Sequence, residues 1–149
     1  MFLQRGLLPV HGSAIKFGKS AVIFSGISGV GKSSLAASFV KKGFLFLADD
    51  ISVINKDLFV APSFPKIKIW QDILQNLDIS SEKLSAIRPN FKKFHLPIEK
   101  SFCQDSLPVK SIFIIHTKNT PGFDFKEITG LQIILIIISN CLLIASESR

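Results

Sequence analysis

The segment Gly26-Ile27-Ser28-Gly29-Val30-Gly31-Lys32-Ser33 sits between an apolar run and a helix-forming one, and it narrows the available folds more than any other stretch. It matches the pattern G-x-x-x-x-G-K-[ST] at every defined position. Glycines let a backbone turn tightly and aim successive N–H groups inward, which makes a cradle for anions. Such a cradle needs a strand to deliver it and a helix to begin at its end, because the helix N-terminus adds its positive pole to the same spot. The flanks meet both needs. Ser20 to Ser25 reads as a buried strand, and Ser33 to Lys42 as a helix with Leu35, Phe39 and Val40 on one face. Lys41, Lys42 and Gly43 supply a cationic last turn and a stop. The pattern therefore predicts an α/β chain that binds a nucleoside triphosphate with magnesium. Lys32 is expected along the β and γ phosphates, and the Ser33 hydroxyl as a ligand of Mg²⁺. Gly26, Ile27, Ser28, Gly29, Val30 and Gly31 form the cradle, and Ser34 follows in the same binding segment.

Around this unit, Leu7 to Phe17 reads as a strand joined to the next by a tight turn at Gly18-Lys19. Phe44 to Ala48 is a short buried strand, and Ile51 to Ile54 with Leu58 to Ala61 form a hairpin about Asn55-Lys56-Asp57. Beyond Pro62 the texture changes, and prolines punctuate short elements. Trp70 to Leu77 reads as a helix, with Ile73, Leu74 and Leu77 on one face. Ser81 to Ile87 reads as another helix capped by Ser81, and Ser111 to His116 as a strand. Repeats and linkers are lacking, so 149 residues read as one domain.

Composition removes several alternatives. Apolar residues make up 47% of the chain and charged ones 19%, a globular balance. The net charge of +7 raises nucleic acid as a partner, but the basic residues are mostly Lys, thinly spread, without an aromatic-interleaved recognition motif. No nucleic-acid role is expected. Cys103 and Cys141 stand alone, with neither a CxxC nor a His at ligand spacing, which argues against disulfide and zinc frameworks. The first residues hold too short an apolar stretch for a signal peptide, so the cytoplasm is the simplest compartment. Leu131 to Ala145 is nearly all apolar but short of the roughly 18 to 20 residues that span a bilayer, and it carries Gln132 and Asn140. It is expected to pack against the domain rather than enter a membrane, or else to mark a chain ending ahead of its proper last elements.

Two acids, Asp49 and Asp50, close the Phe44 strand. Alternation along a strand sends neighbouring side chains to opposite sides unless the backbone turns, so the two acids should do different work. Beside a phosphate loop, an acid at this place either holds the metal or handles the nucleophile's proton; elsewhere, Asp-Asp merely initiates a turn. His11, on the first strand, reads from the residues alone as a structural histidine.

The ordered block His11-Gly12, Gly26 to Ser33, Lys42-Gly43 and Ala48-Asp49-Asp50 resembles the catalytic core of the HPr kinase/phosphorylase family. That family comprises bacterial P-loop enzymes also similar to the nucleotide site of phosphoenolpyruvate carboxykinase. The resemblance implies a single P-loop kinase domain with a mixed sheet, transferring the γ-phosphoryl group of ATP to a serine hydroxyl of a protein or peptide. By position it makes Asp50 the proton acceptor, His11 its support, Lys32 the phosphate binder and Ser33 the metal ligand, and it leaves Asp49 on the metal side. It also implies a tendency to homo-oligomers. The second half, with Ala61 to Asp72, Arg88-Pro89 and Lys92-Lys93, is similar to shorter HPr-kinase-like proteins. Two alternatives stay open: a nucleotide-binding ATPase module, and a non-catalytic relative.

Overall fold

In the computed structural model, which describes residues 6–119 and 121–129, two β-sheets enclose one long helix. The first strand, β1 (Leu8–Phe17), turns at Gly18-Lys19 into β2 (Ser20–Ser25), and the two pair antiparallel from Phe17↔Ser20 to Gly12↔Ser25. Gly12 is required there, because a Cβ on it would lie 2.6 Å from the Phe24 carbonyl oxygen. The helix α1 (Lys32–Lys41) follows the Gly-rich loop and starts one residue earlier than the sequence suggests. Next come β3 (Leu45–Ala48) and β4 (Ile51–Ile54), with β5 (Phe59–Val60) closing a hairpin. The Asn55 side chain shapes that hairpin by accepting N–H bonds from Asp57 (3.0 Å) and Phe59 (2.9 Å).

The second half supplies β6 (Lys66–Trp70), α2 (Gln71–Asn76), β7 (Ser85–Ala86), β8 (Lys93–Pro97) and β9 (Leu107–Ile114), with a 3₁₀ turn at Glu99–Ser101. The larger sheet runs β2-β9-β5-β4-β1-β3, and β1 also pairs with β2, so the hydrogen-bonded circuit closes on itself. β2 and β9 are parallel and the other pairs antiparallel, which makes the fold mixed α/β with a mixed sheet. A smaller antiparallel sheet, β6-β8-β7, stands beside it.

Strand alternation sorts the side chains into two cores. From β2, Ala21 and Ile23 join Val10, Ala14, Leu47 and Val60 in one, while Val22 and Phe24 join Ala36, Phe46, Ile67, Ile69 and Leu74 in the other. The second core lies under α1 and the smaller sheet, so the helix and that sheet are fixed by the same apolar contacts.

One expected element is absent. Ser81 to Ile87 forms a turn and then β7, not a helix. Ser80 Oγ, not Ser81, accepts the Glu82 N–H at 3.3 Å, and the Ile87 N–H goes to the Lys93 carbonyl at 2.9 Å. Pro89 limits the run on its far side, so it is too short for helix formation to compete with pairing to β8. Trp70 likewise belongs to β6, and α2 begins only at Gln71. β9 begins at Leu107 and ends at Ile114, earlier at both ends than Ser111 to His116. Among the described residues no helix is long and apolar enough to cross a membrane. Leu131 to Ala145 lies outside the described residues.

Candidate functional site

The Gly-rich loop leaves β2 at Ser25 and enters α1 at Lys32, as its flanks predict. Gly26, Gly29 and Gly31 have φ of 150°, 82° and 104°, and Gly31 serves as the N-cap of α1 without any side-chain cap. Main-chain N–H groups therefore form the helix's open positive end. Gly26 is further constrained by the residue that follows β9: a Cβ there would lie 2.7 Å from the Ile115 carbonyl oxygen, and the Ile115 N–H donates to Ser25 O at 2.7 Å. The Lys32 side chain is buried, and its Nζ donates to the loop's own carbonyls at Gly26 (3.0 Å) and Ile27 (2.9 Å). Ile27, Ser28 and Gly29 face solvent, with Val30 and Gly31 partly covered. Ser34 lies on the first turn of α1, beside Ser33 and partly covered.

Asp49 faces this loop. Its Oδ1 accepts the Ser33 hydroxyl at 2.8 Å and the Ser13 hydroxyl at 2.7 Å, and its Oδ2 accepts the Lys68 main-chain N–H at 2.9 Å. Asp50 turns away. Its φ is +63°, in the left-handed region that Asp and Asn tolerate better than most residues. Its Oδ2 forms an ion pair with Lys68 Nζ, and both side chains are 41% exposed. The two acids thus make separate side-chain contacts; they lie in the turn between β3 and β4, and the left-handed backbone at Asp50, rather than strand alternation, sends its side chain another way.

His11 is buried on β1, opposite Ile51 in the register with β4, so its backbone runs beside Asp50. Two bonds brace this stretch: Gly12 N–H to Asp50 O at 3.0 Å, and Ser25 Oγ to His11 O at 2.9 Å. Loop, Asp49, Asp50 and His11 thereby come together where β2 ends against the middle of β1.

Lys68 is the residue that sequence reasoning missed. Alternation in Lys66-Ile67-Lys68-Ile69-Trp70 does place Lys66 and Lys68 on one face of β6, with Ile67 and Ile69 buried behind. Nothing local says that this strand packs against the acids. Across the small sheet, His95 on β8 pairs with Lys68. Burial holds the His95 imidazole below its ordinary value, Lys66 and Lys68 push it the same way, and Asp50 opposes them.

The donor set suits a hard cation in part. The Ser33 hydroxyl and the Asp49 carboxylate are oxygen donors within hydrogen-bond distance of each other, and Mg²⁺ characteristically takes few protein oxygens, completing its shell with phosphates and water. No group of three or more His, Cys, Asp or Glu side chains among the described residues is placed to hold a metal ion.

The architecture is thus a mixed α/β fold with a Gly-rich strand–loop–helix facing the Asp49 carboxylate, and with Asp50 turned away beside it. No family model matches the chain, and no curated protein does either. Among solved structures, the Hpr(Ser) kinase/phosphatase from Coxiella burnetii is similar at 15% sequence identity and a TM-score of 0.49. The match covers 78% of this chain and 65% of that one, so the chain spans about two-thirds of that protein's length.

Proposed function

We propose that the chain is a P-loop kinase that transfers the γ-phosphoryl group of ATP to a serine hydroxyl on a protein or peptide. The observation that carries this reading is the division between the adjacent acids: Asp49 is bonded to Ser33 of the loop, whereas Asp50 turns away to a half-open position. An enzyme that merely held a nucleotide would need only the first.

In this reading the N–H groups of Gly26 to Gly31 and the start of α1 bind the phosphates, and the Lys32 ammonium exchanges its loop carbonyls for phosphate oxygens. Ser33 and Asp49 would hold Mg²⁺, which when bound neutralises phosphate charge. The acceptor serine donates its hydroxyl to Asp50. Lys68 occupies Oδ2, and Oδ1 makes no hydrogen bond among the described residues, so Oδ1 is the oxygen open to that proton. His11, beside Asp50 on β1, is assigned to steady that carboxylate. The acceptor hydroxyl loses its proton to Asp50 as its oxygen bonds to the γ phosphorus, while the bond from that phosphorus to the bridging oxygen breaks and ADP leaves.

The test is incubation with labelled ATP, Mg²⁺ and a serine-peptide library, comparing the native chain with Asp50→Asn. Asn accepts the same positive φ, so the substitution removes the base while sparing the turn. Phosphopeptide should form, and Asp50→Asn should lower transfer by about 10² to 10⁴ with ATP affinity unchanged. Release of inorganic phosphate with every peptide left unlabelled would favour an ATPase, and undiminished transfer by Asp50→Asn would place the base elsewhere.

A further inference from the structure

A cavity of about 420 Å³ opens on the small sheet between β6, β7 and β8, and the kinase site described above does not use it. Phe64, Lys66, Lys83, Leu84, His95 and Glu99 contribute to its walls. Two ammonium groups and an imidazole therefore face one carboxylate, and Glu99 is exposed. Among the described residues neither Lys66, Lys83 nor His95 has an ion-pair partner. Lys66 Nζ instead lies 5.8 Å from the Phe64 ring centroid, and the buried Nδ1 of His95 has no hydrogen-bond partner. The two ammonium groups outnumber the one carboxylate and carry no ion pair, so an incoming anion would be drawn to both.

The cavity shares a face with Asp50. Lys66 and Lys68 project from the same side of β6, His95 pairs with Lys68 across the sheet, and Lys68 is bound to Asp50. We propose that this cavity binds the carboxylate of an Asp or Glu side chain flanking the acceptor serine, so that the chain selects acidic polypeptide segments. The choice of a polypeptide rests on the kinase reading; the choice of a carboxylate rests on the cavity.

A single-stranded nucleic acid would also answer positive charge, but it would need free aromatic faces for its bases to stack upon. The cavity wall offers one such ring, the exposed Phe64 with Lys66 Nζ 5.8 Å from its centroid, where successive bases would need several; the Trp70 ring packs on Phe91 at 5.1 Å between centroids, and Lys93 Nζ lies 5.6 Å from the Trp70 centroid.

The experiment is fluorescence anisotropy on the full chain with two labelled serine peptides of equal length, one flanked by Glu and one by Gln. Their affinities are compared with that of Lys66→Glu/Lys83→Glu for the Glu peptide. The Glu peptide should bind about tenfold tighter than the Gln peptide, an amount two partly exposed ion pairs can supply, and the double substitution should abolish that margin. Should the charge-reversed chain unfold, as circular dichroism would reveal, Lys66→Gln/Lys83→Gln takes its place with the same expected loss. Equal affinity for the two peptides would overturn the proposal, as would a margin that survives the substitutions. Tighter binding of a single-stranded DNA oligomer, lost in the same variant, would overturn it in favour of nucleic acid. Binding is read without turnover, so a chain that phosphorylates no peptide yet discriminates Glu from Gln would refute the kinase and keep the acidic site.

Discussion

His95 shows how one residue can feel two sheets. Its imidazole is held below 6.5 first by burial and then by Lys66 and Lys68, against the pull of Asp50. The native state thus favours neutral His95, and the unfolded chain takes up the proton first as pH falls. Stability from this residue is whole above about 6.5 and drains away as pH drops from there through the lowered value. Urea midpoints measured across that acid window should fall for the native chain and fall less for His95→Gln; parallel slopes would show that His95 contributes nothing. From the sequence, Lys66 and Lys68 were visible as alternating residues, but their neighbours were not. His95 and Asp50 lie far from them along the chain, and only the β6–β8 register brings His95 opposite Lys68. The residues of the Gly-rich loop were legible because their chemistry is local: three glycines at positive φ and the start of a helix all lie within one short run.

The element that does most to organise the site is α1, whose second residue, Ser33, reaches Asp49 across to the end of β3. If this pair holds Mg²⁺, EDTA should abolish phosphoryl transfer and Mg²⁺ or Mn²⁺ restore it. Ser33→Thr, which retains a hydroxyl, should keep activity, and Ser33→Ala should lose it. Transfer assays giving equal rates for all three chains would remove Ser33 from the metal's shell. Elements with a long hydrophobic period, such as β1, β2 and α1, stand close to where their patterns put them. Ser81 to Ile87 misled because its composition permits a helix, while the pairing of Ser85 and Ala86 with β8 depends on residues whose strand position the run itself does not disclose.

For the molecule as a whole, β3 is the stitch between two cores, since the fully buried Phe46 packs into one and Leu47 into the other. Both cores should therefore melt together. Phe46→Ala should lower unfolding free energy by about 3 to 5 kcal/mol in a single denaturant transition; two resolved transitions would mean that the cores hold independently. The closed circuit of strands was not visible beforehand, because it depends on β1 dividing its length between β3 and β4, and on β9 doing the same between β2 and β5. The support given by Lys68 has an evolutionary side. Asp49 is held by that residue's main-chain N–H, which every replacement except proline retains, whereas Asp50 is held by its ammonium, which almost any replacement removes. A lineage can drift freely at position 68 without disturbing the acid beside the loop, while the acid next to it changes its electrostatic company at once. Under the assignment proposed here, changes at position 68 would spare phosphate binding and retune transfer to an acceptor.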